Sequence, residues 1–238
     1  MLEKGNISDK LDSFINFGTV LTESETKIKN TFFENNGTFT TTGSGSEQSG
    51  INIQTDDFYN NGTMTVNGHF NNNDIGYNNG TLIINGHFNT NGNNREFTNA
   101  CKMIIQYNFN ANGEFNNLDG AFVSVGQNST FGGSSDIYMG ANSLITTVNN
   151  LTINNNVIGP DVSCSRFDVG QKLSFSGGSD ISGYVTFCDA TPGGSGDTQN
   201  PSLGTNGSLD CESCFLPVSD CSPGTGTPPV TDDDNDGC

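Results

Sequence analysis

Few residues in this chain combine type and spacing in a way that could do chemistry. Asp232, Asp234 and Asp236 alternate with other residues and are followed by Gly237. Oxygen donors at alternate positions with a glycine for a sharp turn are what a calcium loop requires, so calcium is the expected cofactor; the bidentate acid that completes such a loop would lie beyond Cys238. The two histidines, His69 and His87, could hold a metal or pass a proton, but they stand 18 residues apart, the period of the repeat described below, and no carboxylate recurs beside them. They read as a copied unit. Cys211-x-x-Cys214 could bind zinc or exchange disulfides, yet no second pair and no nearby histidine completes a site. The seven cysteines read instead as disulfide formers, with Cys238 left over. Only Arg95, Lys102, Arg166 and Lys172 supply cations after residue 30, and no acid pair or nucleophile–base pair recurs near them. The chain is therefore expected not to be an enzyme. The remaining candidates are ligand-binding: Tyr59 and Tyr77, which could stack on sugar rings, and Thr38, Thr63 and Thr81, which could form a flat hydroxyl array.

What must position these residues is a repeated phrase. Asn60-Asn61-Gly62-Thr63-Met64-Thr65-Val66-Asn67-Gly68-His69-Phe70 returns 18 positions later as Asn78-Asn79-Gly80-Thr81-Leu82-Ile83-Ile84-Asn85-Gly86-His87-Phe88. Its Gly-Thr-apolar core runs from Gly18 through Gly37, Gly62, Gly80, Cys101 and Gly120 to Asn142, in steps of 19, 25, 18, 21, 19 and 22 residues. A period near 20 indicates a solenoid. Frequent Gly and Asn exclude helical repeats, and the alternation of Met64 with Val66, Leu82 with Ile84 and Met103 with Ile105 indicates short, half-buried strands. The expected fold is all-β, a parallel β-helix of roughly 18–22-residue coils, with Asn-Gly corners that exploit positive φ. A stack of hairpins is the rival, since Asn-Gly is also a hairpin signal. In a β-helix, Tyr59 sits under Tyr77, Asn60 under Asn78 and Phe70 under Phe88. Val20, Phe39, Met64, Leu82, Met103, Phe122 and Leu144 are then expected to form one inward column.

The domain reading is residues 1–13 as an N-terminal cap or lead-in, with a short helical turn at 7–11; 14–189 as the solenoid; 190–222 as a disulfide-rich cap; and 223–238 as a linker with the calcium-loop-like tail. The loop Gly43–Gly50 bulges from one coil. With 8 basic and 26 acidic residues the net charge is −18, which excludes nucleic acid as a natural partner. No stretch approaches the 18 or so apolar residues of a membrane span. The Cys-bearing, Lys-poor, Gly- and Asn-rich composition points to an extracellular or cell-surface location.

The Asn-Asn-Gly-Thr phrase, the segment Phe187-Cys188-Asp189-Ala190-Thr191-Pro192 and the terminal acidic run together resemble the extracellular repeat regions of Bacteroidetes surface proteins exported by the type IX system, and the tail resembles a thrombospondin type 3 repeat. This resemblance implies a structural or adhesive surface protein and supplies no catalytic residues. The expected function is a non-catalytic surface rod that presents columns of side chains to a cell-surface glycan or protein, or to other copies of itself. The alternative is a polysaccharide- or ice-binding solenoid, and a carbohydrate-active enzyme ranks below both.

Overall fold

The computed structural model describes residues 6–7, 12–23, 25–42, 50–55, 57–91, 95–132, 136–176, 178–192, 202–203 and 208–209. They form a parallel β-solenoid of about 8 coils, each of roughly 21 residues. Each coil contributes one strand to each of three sheets of 9, 10 and 9 strands, and strand neighbours within a sheet are always one coil apart in sequence. With strands about 4.8 Å apart, eight coils give a rod about 40 Å long. Pairing is parallel throughout the described residues, which excludes the hairpin stack. No helix among the described residues is long and apolar enough to cross a membrane.

The three sheets bear different outer surfaces. One, here the Thr face, includes Thr38–Thr41, Thr63–Val66, Thr81–Ile84 and Lys102–Ile105. The second, the amide face, includes Phe70–Asn72, Phe88–Thr90, Phe109–Ala111, Ser129–Phe131 and Asn150–Ile153. The third, the acidic face, includes Phe58–Asn60, Ile75–Asn78, Glu96–Asn99 and Glu114–Asn117. Period-two alternation points one set of side chains from each sheet into a common core lined by phenylalanine. Phe33 and Phe58 stack with ring centroids 5.1 Å apart, and Phe70 and Phe88 at 5.4 Å. Each fully buried Phe contributes roughly 1.5–3 kcal/mol of apolar burial.

Each residue of Asn-Asn-Gly-Thr plays a distinct part. The first Asn turns inward at the corner between the acidic and Thr faces. Asn16, Asn35, Asn60, Asn78, Asn99 and Asn117 are all buried there, and the Nδ2 of each of the first five donates to the Oδ1 one coil on, at 2.7, 2.8, 2.7, 2.8 and 2.8 Å. The second N–H reaches a carbonyl of the next coil, as from Asn60 to Thr81 at 3.2 Å and from Asn78 to Lys102 at 3.0 Å. The second Asn forms an outer rung, Asn61 to Asn36 and Asn79 to Asn61. Glycine follows because the coils nearly touch: a Cβ on Gly80 would lie 2.0 Å from the Gly62 carbonyl oxygen. Thr then opens the Thr face.

Three expectations need correction. The corner glycines Gly37, Gly62 and Gly80 do not use positive φ, which is confined among the described residues to Asn30, Asn142, Ser163, Gly68, Gly120, Gly178 and Gly183; close approach of the neighbouring coil is what demands glycine. Phe122 and Leu144 are not inward: they pair with Lys102 and Arg166 in an outer column, and Val123 and Ile145 take the core positions. The cause is a two-residue enlargement of the corner, closed by a turn from Leu118 O to Ala121 N (3.0 Å) and repeated from Gly140 O to Ser143 N (3.3 Å). Finally, Ile7 lies in a strand paired with Ile28, not in a helical turn; residues 8–11 and the loop at 43–49 lie outside the described residues. At the other end, Ser202–Leu203 pairs with Asp180–Ile181 and Ser208 bridges to Thr186, so the sheets continue past Asp189.

Candidate functional site

Tyr59 and Tyr77 stand in register on the outside of the acidic face, half-buried, with ring centroids 6.3 Å apart. Burial, together with the charges of Asp57 and Glu34, pushes the Tyr59 phenol above its usual range, and burial does the same at Tyr77. Thr38, Thr63 and Thr81 form one outer column of the Thr face, beside Thr40 and Thr65. Lys102 and Phe122 continue the first column and Ile83 and Ile104 the second, so the hydroxyl array ends after four coils from Thr19. The structure thus keeps the two predicted groups on different faces. Asp232, Asp234 and Asp236, and Cys211, Cys214, Cys221 and Cys238, lie outside the described residues.

The cations are dispersed. Arg95 pairs with Asp74 at 2.7 Å at the edge of the acidic face, Arg166 pairs with Asp168 on the Thr face, Lys102 sits over Thr81, and Lys172 pairs with Asn150 on the amide face. No group of three or more His, Cys, Asp or Glu side chains among the described residues could hold a metal ion.

The amide face carries an arrangement that sequence reasoning missed. The rings of His69 and His87 lie 4.6 Å apart, tilted by 46°, and the Tyr107 ring joins them 5.5 Å from His87. Each His Nδ1 accepts a backbone N–H from the coil above, His69 from His87 at 2.9 Å and His87 from Asn108 at 3.2 Å. A neutral ring in this role carries its proton on Nε2. One coil later asparagine replaces histidine as the acceptor. Asn108 Oδ1 accepts the Asn128 N–H and Asn128 Oδ1 the Asn150 N–H, at 3.2 and 3.3 Å, while the amides join each other at 3.0 Å. Beside this column runs another, in which Asn89 Nδ2 donates to Asn71 and Asn110 Nδ2 to Asn89, at 3.0 and 2.9 Å, followed by Thr130 and Thr152. Between the two columns lies an open groove of about 400 Å³, lined by Asn108, Asn110, Asn128, Thr130, Asn150 and Thr152 together with Ser129. The signal was present in the sequence: Asn108-Phe109-Asn110, Asn128-Ser129-Thr130 and Asn150-Leu151-Thr152 continue His69-Phe70-Asn71 in register. Following only the Gly-Thr corner passed over it.

Among the described residues, other buried polar atoms have no hydrogen-bond partner: Asn72 Oδ1, Ser143 Oγ and Asp189 Oδ2. Asp189 pairs with Val169 at a position that is apolar in several earlier coils. Compared with known proteins, the chain matches no family model, no curated protein and no solved structure.

Proposed function

We propose that the chain is a non-catalytic structural and adhesive module, secreted to the cell surface, which works by holding repeated side chains in rigid columns. The observation that carries this reading is the use of polar side chains along the rod. Asparagines are joined amide to amide in one buried column and in outer ones, an arrangement that stiffens the rod and repeats the same surface at every coil. A stiff, repetitive surface suits many weak contacts made at once. Export is supported by Cys101, Cys164 and Cys188, which are disulfide-bonded, because disulfides persist in oxidising compartments; the type IX route rests on the resemblance noted above, and calcium binding by the tail on the spacing of Asp232, Asp234 and Asp236.

The test is direct. Beads coated with the purified chain should attach to cell or polysaccharide surfaces more strongly than albumin-coated beads, with and without calcium, and negative-stain images should show short rods or end-joined filaments. Coated beads that attach no better than the controls would sink the adhesive reading, and a purely spacing role would remain only if rods were seen. A second reading, ice binding, is favoured by the Thr38–Thr63–Thr81 and Thr40–Thr65 columns. It requires thermal hysteresis that Thr63→Lys removes.

A further inference from the structure

The geometry points to the groove on the amide face as a binding site for a neutral polysaccharide laid along the rod axis. This rests on the adhesive reading and gives it a ligand class.

Four observations converge on that class. The groove has a volume of about 400 Å³, within the ordinary range of ligand sites. Its two walls present the same kinds of group coil after coil, amides in one column and an amide followed by hydroxyls in the other. Asn110, Asn128 and Asn150 each spend one Nδ2 hydrogen on the amide of the preceding coil and keep a second for a ligand, and the hydroxyls of Thr130 and Thr152 are not engaged by any hydrogen bond among the described residues. Sugar hydroxyls, which both donate and accept, are matched by amide and hydroxyl groups of this kind.

Charge narrows the choice. The side chains lining the groove carry no charge, and none of the described amide-face strands holds an acidic residue, in a chain of net charge −18. A cationic ligand finds no carboxylate there. A polyanion meets the repulsion of the whole molecule with only Lys172 at this end of the face. A neutral chain incurs neither cost. Tyr107, immediately before Asn108, is 39% exposed with its ring tilted by 40° against His87; it supplies an apolar ring surface next to the polar walls, the usual complement to the C–H face of a sugar. A glycan running along the axis meets equivalent wall groups at each rise of about 4.8 Å, so affinity grows with chain length through repeated contacts.

The test uses the full chain in native affinity gels containing hydroxyethylcellulose, galactomannan, xyloglucan or dextran as neutral probes, and alginate or polygalacturonate as anionic ones. At least one neutral probe should retard the protein. Thr130→Arg, which fills the groove, should weaken that retardation at least tenfold, and Tyr107→Ala should weaken it several-fold; Thr65→Arg on the Thr face should leave it unchanged. Circular dichroism melts show that each variant is folded, and Tyr107→Ala, being outward, keeps the test open if Thr130→Arg does not fold. No retardation by any neutral probe, retardation by the anionic probes alone, or equal loss in Thr65→Arg would each overturn the site. If beads still attach to cells while the gels show nothing, the adhesive reading survives and this ligand fails; if neither occurs, both fail.

Discussion

The inner and outer sides of one sheet behave oppositely under the same repeat. On strands such as Ile75–Asn78 and Glu96–Asn99, the inner end carries an asparagine and the outer side carries Tyr77, Glu96 or Thr98. Parallel stacking in register places like upon like. For an amide this is favourable, because the group is both donor and acceptor and the copy above satisfies it; inside, six such groups form an unbroken ladder. For a carboxylate it is unfavourable, since two acceptors face each other. The outer side accordingly dilutes its acids. Ile75 separates Asp57 from Glu96, and where Glu96 does lie against Glu114, Asn116 Nδ2 donates to both, at 2.7 and 3.3 Å. The lesson is that a repeated polar side chain stabilises a solenoid only where it can bond to its own copy.

Exchanging amide and carboxylate between the two sides puts this to the test. Asn78→Asp should be the most damaging change. It removes the donations to Asn99 and Lys102 and buries an acid, costing about 3 kcal/mol or more in denaturant unfolding at neutral pH. The loss should shrink as the pH falls and the new carboxyl is protonated; a loss under about 1 kcal/mol would mean that the ladder bears little weight. Gly80→Ala, which sets a methyl against the Gly62 carbonyl, should cost about 2 kcal/mol by the same measurement, in line with overpacking elsewhere. His87 separates acceptor from ring: His87→Ala should lose about 1 kcal/mol, whereas His87→Asn, which copies Asn108, should recover most of it. In the opposite direction, Glu114→Gln should stabilise by about 0.5 kcal/mol at low salt and less at high salt.

The smallest effect concerns tyrosine ionisation on the outer side. The phenols of Tyr59 and Tyr77 titrate above 10.0 when folded, so the stability they contribute is complete below the unfolded value and is lost as pH rises through the folded one. Tyr59→Phe should flatten the fall in melting temperature above about pH 10; an unchanged alkaline slope would remove tyrosine from the explanation.

Much of this was legible in the chain itself. Asn60 over Asn78 and Phe70 over Phe88 follow from an insertion-free repeat, and the columns from Val20 to Met103 follow with them. The register slipped at Gly120-Ala121-Phe122, a stretch that imitates Gly-Thr-apolar while two additional corner residues displace the strand by one position beyond it. A displacement of one residue exchanges inside for outside, hence Phe122 and Leu144. The role of the histidines was hidden because their work is backbone capping, which one coil later is done by an unlike residue, Asn108. The groove was hidden for the same reason, since its walls change residue type while keeping their register.

The inner asparagines also fix how this rod would answer a pull. Inter-strand hydrogen bonds in a β-helix run along its axis, so tension applied end to end loads them one coil at a time, as in opening a zipper. Each coil that peels away would free about 20 residues, roughly 70 Å of extended chain, and would have to break one rung of the amide ladder as it left. Over the coils from Asn16 to Asn117, the rod should therefore lengthen coil by coil under load, in steps of 18 to 25 residues, with the force of each step set by the asparagine at its corner.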